Sequence, residues 1–122
     1  ISTPIGTVSV TNLKVGDIVW TMDAAGKRAV RPLVKVSRTP APNHSVINLV
    51  LADGRTLDVS PLHPTADGRT VGDLQAGEAY NGSIVKSADL KPYEGTATYD
   101  ILPAGDTGYY WANGILMGST LK

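Results

Sequence analysis

No stretch of this chain longer than about ten residues keeps an apolar stripe at helical spacing, and 13 glycines and 8 prolines interrupt it from end to end. A chain divided so finely can bury its apolar side chains only on short strands, whose residues alternate between two faces. Runs of that kind recur between turn signals: "GTVSV", "DIVWTM", "LVKVS", "SVINLVLA", "RTLDVS", "SIVKSADL", "TYDILPA" and "GYYWANGILM". They predict an all-β fold.

Two turns repeat. "ADGRT" occurs at 52–56 and again at 66–70, and its Asp-Gly pair suits the positive φ angles of a two-residue hairpin turn. These read as two similar hairpins rather than two sites. Asn113-Gly114 is a favourable hairpin pair, read as the bend that brings the C-terminal strand back toward the candidate site, and Gly16-Asp17 and Gly72-Asp73 also read as turns. A longer repeat relates "LKVGDIV" at 13–19 to "LQAGEAY" at 74–80, half a chain apart, each followed by comparable β-rich runs. Two duplicated β-units, each too small for a core of its own, would pack about a pseudo-twofold axis and share one core.

With 122 residues, 42% of them apolar, the chain suffices for one domain spanning 1–122 that hides roughly two-thirds of its unfolded surface. Lys plus Arg and Asp plus Glu are equal at 11 each with no run of like charge, which gives no footprint for nucleic acid or anionic lipid. Apolar runs such as "VINLVLA" are too short to cross a bilayer, so a soluble module without a membrane partner is expected. The absence of cysteine excludes disulfides, thiolate metal sites and a thiol nucleophile within these residues. Two scattered histidines make no zinc motif, and no G-x-S-x-G elbow, Walker loop or dinucleotide fingerprint occurs, so neither a metal nor another cofactor is expected. Nothing calls for an oligomer, and a monomer is the expectation.

One segment invites chemistry. In "DVSPLHPTADG", Pro64 biases His63 toward extended backbone and Pro61 does the same for Ser60. In a tight bend the Ser60 hydroxyl and the His63 imidazole could address one peptide group, the imidazole giving a proton to a departing amine. The spacing alone is a weak signal, and on its own it fits better a histidine that caps a turn. His44, in "TPAPNHSV", reads as a surface loop residue without a role, and Trp20, Trp111, Tyr109 and Tyr110 read as core or rim packing.

Three blocks together carry a resemblance. "TPIGTVSVTNLKVGDIV", "GRTLDVSPLHP" and "TYDILPAGDTGYYWANGILMGST" resemble, in order and from end to end, the blocks of Hint domains, the hedgehog/intein fold of self-cleaving and self-splicing proteins. That resemblance implies two pseudo-symmetric β-units, in keeping with the half-chain repeat. It also implies roles. Ser60 and His63 match the motif that holds and strains an upstream scissile amide, with the histidine protonating its leaving nitrogen. Asp100 matches an acidic position that helps ionise the nucleophile and coordinates the two junctions, although a strand-end carboxylate is the plainer reading of the residue alone.

The departures matter as much. Ile1 aligns a few residues past the Cys or Ser that opens such domains, so the nucleophile is missing from these residues: either it went with a short N-terminal segment, or this copy has none. At the other end Gly118 and Ser119 stand where inteins carry His-Asn, and Thr120 falls at the downstream nucleophile. A serine side chain has no amide nitrogen to cyclise, so full splicing is not expected. The resemblance then implies hedgehog-like or bacterial-intein-like autocleavage, single-turnover rather than multi-turnover. An upstream Cys or Ser would shift the preceding acyl group from N to S or O, with the chain's own N-terminal flank as substrate and water, a thiol or another small nucleophile as acceptor. The alternative is a catalytically retired Hint fold acting as a binding or spacer module. An unrelated β-barrel adaptor would leave Ser60, His63 and Asp100 far apart.

Overall fold

A computed structural model describes residues 1–122. Eleven strands follow one another: β1 (Ser2–Thr3), β2 (Gly6–Thr7), β3 (Ile18–Met22), β4 (Arg28–Pro40), β5 (Ser45–Leu51), β6 (Thr56–Val59), β7 (Ala79–Tyr80), β8 (Ser83–Pro92), β9 (Ala97–Pro103), β10 (Tyr110–Ala112) and β11 (Ile115–Met117). The only helical segments are two 3₁₀ turns, Val10–Asn12 and Val71–Asp73. No helix is long and apolar enough to cross a membrane.

The strands form a three-stranded sheet in the order β3-β4-β9, a four-stranded sheet in the order β6-β5-β8-β7, and two small hairpins, β1-β2 and β10-β11. Every pairing is antiparallel. The long strands cross between halves of the sequence: β4 pairs with β9, and β8 with β5. Each of the two larger sheets carries a bulge on a long strand, at Val34 in β4 and at Lys86 in β8, where the register against β9 and β5 shifts by one residue. Val19, Leu33 and Ile101 from one sheet meet Leu49, Leu51 and Val85 from the other, with Ile115 and Met117 of the terminal hairpin among them, all buried. β10-β11 is therefore a core element rather than an appendage.

The half-chain repeat has a local structural counterpart. Leu13 and Leu74 each follow a 3₁₀ turn and are buried, and Gly16 and Gly77 have φ of 95° and 94°. The Gly16 N–H donates to Leu33 O and the Gly77 N–H to Val85 O, anchoring each turn to the next long strand.

Two expectations need correction, and the other turn and packing expectations hold. "GTVSV" is strand only at Gly6–Thr7, because its partner β1 is two residues long; beyond Val8, whose N–H donates to Ile1 O, the chain has no ladder to join and turns into the 3₁₀ segment. The two Asp-Gly turns are three-residue loops, closed by Leu51 N–H to Arg55 O and Thr65 N–H to Arg69 O, with positive φ at Gly54 and Gly68 but not at the aspartates. Asp53 and Asp67 bind Arg55 and Arg69 instead. Gly72-Asp73 is part of a 3₁₀ turn closed by a Thr70/Asp73 capping box. Asn113-Gly114 does form a two-residue turn, with φ of 50° and 77°. Trp20 and Trp111 lie at the rim, half-buried, with the Arg28 guanidinium 4.8 Å and 5.0 Å from their ring centres.

Candidate functional site

His63 is placed by backbone. Its N–H donates to Ser60 O, closing a turn with Pro61 at the second position, where a fixed φ suits it. The capped 3₁₀ turn then clamps this segment from outside: Val71 N–H donates to His63 O and Gly72 N–H to Pro61 O. A β-carbon at position 72 would lie 3.0 Å from Pro61 O, so glycine is what allows the approach. Leu62 points outward and is 82% exposed, whereas His63 is buried at 9%.

Inside the fold His63 Nε2 lies 2.8 Å from Gly118 O and 3.2 Å from the Tyr110 hydroxyl. The Tyr110 hydroxyl donates to Asp100 Oδ1 at 2.7 Å. Burial, reinforced by the nearby Asp100 carboxylate, pushes the Tyr110 phenol well above its usual range, so it keeps the proton it donates. A carbonyl can only accept, and the phenol's one proton is engaged with Asp100. His63 therefore carries a proton on Nε2 and donates it to Gly118 O. Asp100, 6% exposed, is fully satisfied: Oδ1 accepts from Tyr110 and from Ile101 N at 2.8 Å, and Oδ2 from Thr120 N at 2.7 Å and from the Thr120 hydroxyl.

Ser60 faces the same region but does not share a partner with His63. Its hydroxyl lies 3.1 Å from His44 Nε2, and the His44 ring meets Tyr93 edge-on at 6.1 Å. His44 is thus half-buried and engaged rather than a free surface residue, and Tyr110 is a hydrogen-bonding member of the site as well as packing. Tyr110 falls within the third block, which gave it no role of its own, and no motif marked His44. His44 is 16 residues from Ser60 and Tyr110 47 from His63, and only the strand crossings bring them in.

Two clefts meet at His63. One, of about 190 Å³, is lined by Ile1, Ser60, His63, Tyr93 and Tyr110 among others; the second, of about 150 Å³, by Ser60, His63, Asp100 and Thr120 among others. Ser60, His63 and Asp100 thus come together, with the start of the chain on one side and its end on the other. Gly118, Ser119 and Thr120 are all held: Gly118 N–H donates to Pro64 O, the Ser119 hydroxyl to Ile101 O at 2.6 Å, and Thr120 to Asp100. No three His, Asp or Glu side chains gather to hold a metal ion.

No family model and no curated protein sequence matches the chain. Solved structures do. A bacterial intein-like domain from Clostridium thermocellum superposes with a TM-score of 0.83 at 20% identity over 97% of this chain and 92% of that one. A DnaB intein from Synechocystis gives 0.80 at 19% identity over 99% and 94%, and the gp41-1 intein 0.67 at 23% identity over 97% and 91%. The chain has the Hint fold of inteins and bacterial intein-like domains.

Proposed function

We propose that this domain cuts its own N-terminal junction. A Cys or Ser just upstream of Ile1 attacks the carbonyl before it, the acyl group moves from nitrogen to sulfur or oxygen, and water or a thiol releases it. The amide-to-thioester step is uphill, so it needs a held peptide and a proton for the departing nitrogen. His63 supplies the proton, and Ser60, steadied by His44, holds the peptide. The observation that carries this reading is the cleft shared by Ile1, Ser60 and His63. The fold likeness to intein-like domains supports it. Splicing does not follow, because Ser119 has no side-chain amide with which to release the downstream flank.

The test is a precursor carrying an upstream segment that ends in Cys before the first strand, incubated with and without added thiol. A thiol-dependent product from the wild type, lost in His63→Ala, is the expected result. An intact precursor under thiol overturns the reading and leaves the fold as a binding or spacer module.

A further inference from the structure

One carboxylate oxygen touches both reacting ends of a possible acyl shift at the other junction. Asp100 Oδ2 accepts from the Thr120 hydroxyl and, at 2.7 Å, from the Thr120 backbone N–H, the nitrogen of the Ser119–Thr120 peptide bond. We propose that Ser119–Thr120 is a second scissile bond, opened without asparagine by an N-to-O acyl shift with Thr120 Oγ1 as nucleophile and Asp100 as proton carrier.

The bond is held on both sides by consecutive residues of β9. The Ser119 hydroxyl is fixed on Ile101 O at 2.6 Å and itself accepts from Leu121 N, while Thr120 is fixed on Asp100. Asp100 cannot swing away, because its other oxygen is bound by Tyr110 and Ile101 N. The second cleft, lined by Asp100 and Thr120, gives water a route to the bond.

The step balances within two residues and one water. Thr120 Oγ1 attacks the Ser119 carbonyl carbon through a five-membered ring, and its proton passes to Asp100 Oδ2. The C–N bond breaks as Oδ2 returns that proton to the Thr120 nitrogen, leaving an ester through Thr120 Oγ1 and a free α-amine. Water then adds to the ester, giving a Ser119 carboxylate and restoring the Thr120 hydroxyl. Amide to ester is uphill, and it is drawn forward by hydrolysis and by protonation of the new amine, whose pKa is about 7.7 to 8.0. A carboxylate base of this kind contributes about 10²- to 10⁴-fold. No upstream nucleophile takes part, so this activity stands or falls independently of N-terminal cleavage.

The experiment is intact-mass analysis of the 1–122 chain at neutral pH with hydroxylamine, which traps esters as hydroxamates. The expected products are Ile1–Ser119 bearing a C-terminal hydroxamate and the tripeptide Thr120–Lys122. Scission at either Asn-Gly pair would give different masses. Thr120→Ala should abolish the product, Thr120→Ser should keep it, and Asp100→Asn should slow it by about 100-fold. Because Asp100→Asn could unfold the domain, the two Thr120 variants decide the matter alone. Full mass retained by the wild type under hydroxylamine, or equal scission in Thr120→Ala, would overturn the proposal.

Discussion

Tyr110 donates its hydroxyl proton to Asp100 at 2.7 Å, and that bond determines what the neighbouring histidine can do. With its proton committed, the phenol offers His63 only an acceptor, as the Gly118 carbonyl does, and the two together leave the imidazole with a proton on Nε2. Tyr110→Phe removes the donor and leaves a buried carboxylate oxygen with Ile101 N alone, so we expect a loss of about 1–3 kcal/mol in urea unfolding. Nitrogen NMR of the imidazole should keep the Nε2-protonated form, because Gly118 O still accepts that proton, with its shift moved by loss of the phenol oxygen. Unchanged stability together with an unchanged nitrogen shift would sever Tyr110 from the site.

The contact between Ser60 and His44 predicts coupling. Each single alanine variant should lose about 0.5–1.5 kcal/mol, the worth of one hydrogen bond. The double variant should lose less than the sum, because either change alone breaks the 3.1 Å contact. In the thiol-cleavage assay both should slow the reaction less than His63→Ala does. Strict additivity in a double-mutant cycle would mean the two side chains act separately.

Much of the fold and of the site is legible in the sequence alone. The strand runs, the Asn113-Gly114 bend and the paired Leu-x-x-Gly turns are local signals written in side-chain alternation and turn residues, and each has a counterpart in the structure even where its hydrogen bonds reach far along the chain, as from Gly16 N–H to Leu33 O. The resemblance picked out Ser60, His63 and Asp100, which line one cleft. Tyr110 and His44 were not legible. A tyrosine in an aromatic run and a histidine in a proline-rich loop carry no local mark of use; the first reaches Asp100 through the β10-β11 hairpin, the second reaches Ser60 across the end of the β5-β6 pair. The form of the Asp-Gly loops also escaped, because loop length follows from strand register, and the Val50–Thr56 pairing leaves room for more than a two-residue turn.

Acid stability should depend on the loop that carries Asp67. Its hydrogen bonds to Arg69, with a further one from Thr65, outweigh the opposing effect of burial and hold the carboxyl down at about 2 against an ordinary 3.8. A folded value below the unfolded one means the stabilisation is present above about 3.8 and disappears as pH falls through about 2. Asp58, bonded to Lys91 and Asn48, shifts in the same direction. The wild type should therefore lose thermal stability across that window, and Asp67→Asn, already lacking the charge, should lose less. Since the Asp67 side chain is 44% exposed, the effect should be small and should shrink in salt. A melting temperature with the same acid slope in both proteins would reject the assignment.

Gly118 is the junction residue whose replacement has a packing consequence. A β-carbon there would sit 3.3 Å from both Pro64 O and Thr65 O and 3.4 Å from the Pro64 β-carbon. The backbone cannot retreat, because Gly118 N–H is bonded to Pro64 O at 3.0 Å and Gly118 O accepts from His63. Gly118→Ala should cost about 1–3 kcal/mol by overpacking, and Gly118→His, the residue an intein would carry, should cost more. Ser119 is only half-buried and holds one carbonyl through its hydroxyl, so Ser119→Asn should be the milder change, at about 0.5–1.5 kcal/mol. The two positions therefore cannot be returned to His-Asn as a pair without moving the Pro64–Thr65 backbone, and with it the imidazole that Pro64 follows. Equal stabilities for Gly118→His and Ser119→Asn in denaturant titration would show that this backbone yields freely.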